Sequence, residues 1–257
     1  MARQMGIIPL KGTIGNITFY KSKAGHLARE KGGVEAARIA TDPAFIRTRE
    51  NGAEFGRAGK ASRLLRTSLR TLLLQIRDSY IASRLSSAMV KVIQADATNA
   101  RGERNVIDGE AELLKGFEFN GNSPLTSTLY APFTPAIDRA AGVLKVDVPA
   151  FVPGSMVAAP PGATHLKMYV AGVEIDFEGG TFINGIAASG ELPIDETLTA
   201  PINLAVNVTA NSAKPLFLAL GIAFYQRVNG KMYDLKNGAY NALALVDISG
   251  APATPNP

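Results

Sequence analysis

Residues 216–235 read LFLALGIAFYQRVNGKMYDL. Asn229-Gly230 stands between FYQRV and KMYDL, and a two-residue hairpin of type I′ needs residues that accept positive φ at both central positions. The stretch therefore predicts a strand over Leu216–Val228, a tight reversal and a returning strand. Asn237-Gly238 marks a further turn, and Ala242 to Ile248 supplies a last apolar strand. Upstream, Phe182–Ala187 and Leu204–Val208 read as strands, and Thr164–Phe177 alternates. In that segment Val173, Ile175 and Phe177 face one way and Glu174, Asp176 and Glu178 the other. Before it, VPAFVPGSMVAAPPGATH carries Pro149, Pro153, Pro160 and Pro161, which makes it a loop. Ala136–Asp138 and Val143–Val148 flank RAAG as a hairpin, and Phe117, Phe119 and Thr128–Phe133 open the β region. Roughly eight to ten strands separated by turns, with no helical period among them, predict an antiparallel β-sandwich of jelly-roll type over residues 117–248. The tail SGAPATPNP, 249–257, is too small and proline-rich to build core.

Before residue 100 the period is helical. Asp42-Pro43 is a helix start, with an N-cap aspartate and proline at the first position. Leu65, Leu69, Leu72, Leu73 and Ile76 mark a buried face, so Ser62–Arg77 is the clearest helix, and Tyr80–Ile93 follows. Arg63, Arg70, Arg77, Arg84 and Lys91 recur every seven residues with Arg66 beside them, which lines one side of a helix or of helices in sequence; Asp78 and Ser79 suit a cap for the second helix, while the unbroken spacing favours one long helix. Gly52, Gly56 and Gly59 share a face where a backbone would approach closely, or else mark a break. GAEFGRAGK is no Walker loop, because its glycine spacing is wrong and Lys60 is followed by Ala61. Residues 95–116 are polar and read as a connection.

Residues 10–31 predict a basic β-hairpin, with Thr13–Tyr20 and HLAREK as strands around the turn KSKAG. Lys21, Lys23 and Arg29 decorate it, with Phe19 and Tyr20 between. An isolated hairpin is marginal in water, so such an arm would dock on a subunit or lie along a nucleic acid. The expected organisation is α+β: a basic arm at 1–41, helices at 42–100, a linker at 101–116, the sandwich at 117–248 and the tail.

Charge divides the chain. Residues 1–105 hold 19 Lys/Arg against 8 Asp/Glu, and the remainder holds 8 against 14. This asymmetry points to a polyanionic partner or to head-to-tail association of unlike halves. The candidate contact residues for nucleic acid or a second subunit are Lys21, Lys23, Arg29, Arg63, Arg66, Arg70, Arg77, Arg84 and Lys91. Glu174, Asp176 and Glu178 are the candidate acidic subunit face, or a weak calcium site. There are no cysteines, and the two histidines, His26 and His165, have no metal-ligand spacing. HExxH, GxSxG and GxGxxG are missing, so no enzyme motif and no cofactor site is expected. Gly6–Leu10 is too short for a signal-peptide core and no run approaches a membrane span, so synthesis in the cytoplasm without membrane insertion is expected.

At KGTIGNITFYKSKAGHLAREKGG and DPAFIRTRENGAEFGRAGKA the chain resembles a family of hypothetical proteins of the Bacteroidota, particularly flavobacteria. The likeness extends to PPGATHLKM, EIDFEGGTF and KPLFLALGI. It implies a bacterial or bacteriophage setting and supplies no catalytic residues; a virion or other assembled particle is the expected location of a coat-like subunit. The reading that joins these features is a non-enzymatic, self-assembling structural protein, coat-like or filament-forming, whose partners are further copies of itself and DNA or RNA. The alternatives are a sequence-independent nucleic-acid-binding protein that does not assemble, and a carbohydrate- or calcium-binding sandwich.

Overall fold

The computed structural model describes residues 2–6, 8–30, 32–235 and 238–252. The chain divides into two compact units, Met1–Arg49 and Glu50–Pro257, here the arm and the body. The boundary lies inside the segment expected to be helical, and none falls at residues 100 or 116.

The arm contains β1 (Ala2–Arg3), β2 (Gly12–Ile14), β3 (Ile17–Ser22) and β4 (Gly25–Glu30), in the antiparallel order β1-β4-β3-β2. The expected hairpin is its centre: Ser22 pairs with Gly25 around Lys23-Ala24. Ser22 Oγ accepts from Ala24 N at 3.1 Å, and Gly25 takes φ +106°, which a side chain would resist. The other two strands extend the hairpin into a small sheet. A short helix α1 (Ala36–Thr41) follows. Asp42 then caps a 3-10 turn at Pro43–Phe45 by accepting from Ala44 N, as the Asp-Pro pair predicts.

In the body, α2 (Ile46–Ser68), α3 (Arg70–Leu73) and α4 (Ile81–Gln94) precede nine strands: β5 (Thr134–Asp138), β6 (Val143–Val148), β7 (His165–Asp176), β8 (Thr181–Ala188), β9 (Leu192–Pro193), β10 (Ile202–Asn207), β11 (Leu216–Val228), β12 (Lys231–Asp234) and β13 (Ala242–Ser249). Two four-residue helices, α5 (Leu125–Thr128) and α6 (Pro153–Met156), sit in the loops. The α+β class and the antiparallel sandwich are both present. One sheet runs β10-β6-β5. The other has β11 and β7 at its centre, with β13 and β12 sharing the far side of β11, and β8 and β9 the far side of β7. Asn229 and Gly230 take φ +50° and +77° at the β11–β12 turn, as type I′ requires. Asn237 and residues 253–257 of the tail lie outside the described residues.

The larger sheet is buried on both faces. Leu218, Leu220, Ile222 and Phe224 of β11 join Leu166, Met168 and Val170 of β7 against Leu144, Val146, Leu204 and Val206 of the smaller sheet. The alternate residues, Phe217 and Ala219 with Ala171, Val173 and Ile175, pack under Leu65, Leu69, Leu85 and Met89 of the helices. The helices thus form a third layer on the sandwich. This explains the uninterrupted apolar run of β11, because a strand covered on both sides has no solvent face to alternate with. Gly172 belongs to the same packing: a Cβ there would lie 2.3 Å from Val206 Cγ2.

Two expectations are corrected. The segment 101–116 is not a linker, since Val106, Ala111 and Leu114 are buried in the helix-side core. The arginine series does not ride one continuous helix, because the helical path breaks between α3 and α4. The break is held by Asp78, whose carboxylate accepts from Tyr80 N, Gly121 N and Arg84 Nη2 at 2.6, 3.0 and 2.6 Å.

Candidate assembly surfaces

No described residue from 2 to 49 is buried. The β3 and β4 residues Thr18, Phe19, Tyr20, Leu27 and Ala28 are half-covered, while Ile14 and Ile17 are 64% and 45% exposed. Ala2, Ile14, Ile17 and Ala28 line an open groove of about 750 Å³ together with the polar Asn16, Arg29 and Glu30. Fixing a backbone costs about 1–2 kcal/mol per residue, and the arm encloses no apolar core of its own to offset it. Its residues 1–49 carry nine Lys/Arg and three Asp/Glu. Arg38 is paired with Asp42 at 3.1 Å, and Arg49 is spent on the carbonyls of Ile39 and Asp42. Of the predicted contact residues, Lys21, Lys23 and Arg29 are exposed, and the Arg29 guanidinium stands 5.7 Å from the centre of the Tyr20 ring.

The arginine series separates into two classes. Arg63, Arg70, Arg77 and Lys91 are exposed. Arg63 and Lys60 border a cavity of about 420 Å³ with Phe177 and Glu178. Arg84 instead turns inward. It pairs with Asp78, donates to the carbonyls of Glu118 and Phe119 at 2.7 and 3.2 Å, and covers the Phe117 ring at 5.3 Å. Arg66 is half-buried, with its Nε enclosed and without a hydrogen-bond partner among the described residues. Arg84 is therefore a structural residue, and a seven-residue spacing cannot separate it from its exposed neighbours. Burial works against the Asp78 carboxylate, but the Gly121 and Tyr80 N–H groups and Arg84 outweigh it and hold its pKa below the usual range.

The three carboxylates predicted on one strand face do not form one. Glu174 is buried and accepts from Thr209 N at 3.0 Å. Asp176 closes the β7–β8 turn by accepting from Gly179 N at 2.7 Å and pairs with Lys214 at 3.0 Å. Those contacts, Gly179 N–H first and then Lys214, hold its pKa low. Glu178 is exposed beyond the strand end. The reason is the second layer: the side of β7 opposite Val173 faces β6 and β10 rather than water. Among the described residues no group of three His, Asp or Glu side chains is placed to hold a metal ion, and no helix is long and apolar enough to cross a membrane.

The three glycines expected on one helix face, Gly52, Gly56 and Gly59, form a bare stripe on α2, where a Cβ on any of them would meet no atom within 4 Å. One feature escaped the sequence reading. Between residues 168 and 213 there are six acids and no Lys, Arg or His, a run that a charge window of that length would have found. No family model, no curated protein and no solved structure matches the chain.

Proposed function

We propose that this chain is a self-assembling structural subunit, of filament or coat type, rather than an enzyme. The observation that supports this is the arm: 49 residues with nine cations, a four-stranded sheet with exposed isoleucines, and not one buried described residue. A sheet of this kind gains its stability from a surface it covers, and the acidic half of another copy is the complementary surface within the sequence. The bare glycine stripe of α2 agrees, since each glycine costs a helix about 1 kcal/mol against alanine and no contact among the described residues requires it. A bacterial or bacteriophage setting, a virion included, suits such a role.

Size-exclusion chromatography with light scattering, read together with the ratio of absorbance at 260 and 280 nm, tests the reading. A multi-subunit, nuclease-resistant peak with a protein-like ratio is the expected result. A monomer at every concentration refutes it. The nine cations of the arm favour one second reading, sequence-independent nucleic-acid binding. It predicts a raised ratio that falls as salt releases the bound polyanion.

A further inference from the structure

The free edges of the body are not guarded alike. β5 carries Pro135 and ends at Asp138, and β12 carries Lys231 and Asp234. The outer edge of β13 is covered by residues 116–119: Gly116 N and Phe119 N donate to Leu245 O and Leu243 O, and Leu245 N donates to Phe117 O. Proline, charge and cover are the devices that keep a sheet edge from pairing with another chain. β8 has neither proline nor charge, and β10 packs on one of its faces, where a Cβ at Gly185 would lie 3.2 Å from Val206 Cβ. The eight residues of β8, TFINGIAA, pair with β7 on one side only. Ile183 and Ile186 are 50% and 39% exposed along it. β10 also lacks charge, but its exposed positions are Asn203, Ala205 and Asn207, which give an incoming strand little apolar surface to cover. β8 lies inside the acidic run, between Glu178 and Glu191, in a segment without a single cation.

The arm has the reciprocal properties. β2 is the outermost strand of its sheet and is uncharged. Ile14 of β2 is 64% exposed, and Ile8 and Leu10 in the chain just before it are 80% and 45% exposed. Lys11 lies within the same segment, and Lys21 and Arg29 are exposed on the two strands beyond it.

We propose that the β2 edge of one subunit's arm adds as a further strand to the free edge of β8 in a second copy. Main-chain hydrogen bonds carry the affinity, and the cations of the arm meet the acidic run around β8. Ile183 and Ile186 stand on opposite faces of β8, and Ile14 covers whichever of them the pairing register brings beside it. Donor and acceptor are different surfaces, so the contact is head-to-tail and propagates into a ring or a filament. The inference rests on the assembly reading above and names its acceptor.

Three full-length variants and the wild type test it: Ile183→Lys with Ile186→Lys, Lys21→Glu with Arg29→Glu, and the latter pair combined with Glu178→Lys and Glu191→Lys. Light scattering over a concentration series is expected to show the assembly midpoint raised about tenfold or more in the first two and restored toward wild type in the third. Thermal melting checks that each variant folds. Amide hydrogen exchange on the wild type needs no variant: the β8 amides exchange at least about tenfold more slowly in the assembly than after dilution to monomer. Equal β8 exchange in the two states overturns the proposal and leaves assembly standing, as does an unchanged midpoint in the isoleucine pair. Assembly that survives the arm reversal but is lost in the isoleucine pair assigns β8 to pairing with itself and also overturns it. A wild type that is monomeric throughout removes the assembly reading and this proposal together.

Discussion

The four-stranded sheet of the arm and the large sheet of the body use the same antiparallel ladders, yet only one of them is enclosed. β11 has Leu218 and Leu220 under the smaller sheet and Phe217 and Ala219 under the helices, all fully buried. β3 of the arm has no buried residue. Main-chain pairing is satisfied in both, so it does not distinguish them. Apolar area removed from water does, at roughly 25 cal/mol per Å². The body is stable by what it contains, and the arm encloses no such core among its described residues.

The widest test of this contrast compares Phe217→Ala with Phe19→Ala in chemical denaturation. Loss of a fully buried phenylalanine is expected to cost about 3–5 kcal/mol. The arm substitution leaves the unfolding midpoint of the body within about 0.5 kcal/mol of wild type, as surface changes do. Equal costs would show that the arm shares the core of the body.

Next in size is the ion pair that breaks the arginine series. Arg84→Ala leaves the Asp78 side chain, 5% exposed, without its cation. Removing one partner of a fully buried pair costs about 3–5 kcal/mol; the Arg84 side chain is itself 35% exposed, so a loss of about 2–3 kcal/mol is expected. Arg63→Ala and Arg70→Ala, exposed members of the series, change stability by less than about 0.5 kcal/mol.

The pH dependence sharpens the same point. Asp78, Asp96 and Asp176 have lowered pKa values in the folded chain. Their stabilisation is present above the unfolded aspartate value of about 3.9 and is lost as pH falls through their lower folded values. Glu118 runs the other way. Burial pushes its carboxyl up, against the Leu125 and Thr126 N–H groups that favour the anion. Its contribution is present below the unfolded glutamate value of about 4.3 and is lost as pH rises through the folded one. At neutral pH Glu118→Gln is therefore expected to raise the denaturation midpoint, and Asp78→Asn to lower it. Denaturant titrations of both variants at pH 7 and pH 4 read the two signs directly.

The smallest effects concern α2. Gly52→Ala, Gly56→Ala and Gly59→Ala are each expected to raise stability by up to about 1 kcal/mol, because the added methyl meets nothing. If a neighbour uses that stripe, the triple variant melts higher and assembles less. If none does, it melts higher and assembles as before.

Much of the body was legible. The strand Leu216–Val228 was read to the residue, and Asn229-Gly230 turned where positive φ was needed. The hairpin across RAAG and the Asp42 cap followed in the same way, since each is a local preference of a few adjacent residues. Legibility ended where a second layer decided the outcome. Alternation separated Val173 and Ile175 from Glu174 and Asp176 correctly, but the side taken for solvent was the inside of the sandwich. The spacing of Arg63, Arg70, Arg77 and Arg84 was regular, but Asp78 and the Glu118 carbonyl, met only in the fold, drew one of the four inward. Polar composition made 101–116 look like a linker, while three of its apolar residues entered the core.

The sequence by itself determined the α+β order of elements, the turns, the cationic start and the absence of cysteine and of familiar catalytic motifs. These depend on backbone preference, side-chain period and residue chemistry, which act over a few residues. Only the tertiary structure decided that the helices cover one face of the large sheet, that Glu174 is buried and Arg84 turns to Asp78, that the arm encloses no buried described residue, and that β8 pairs on one side only. Which charges and apolar residues face water depends on layers brought together from distant parts of the chain, and periodicity within one segment carries no record of them.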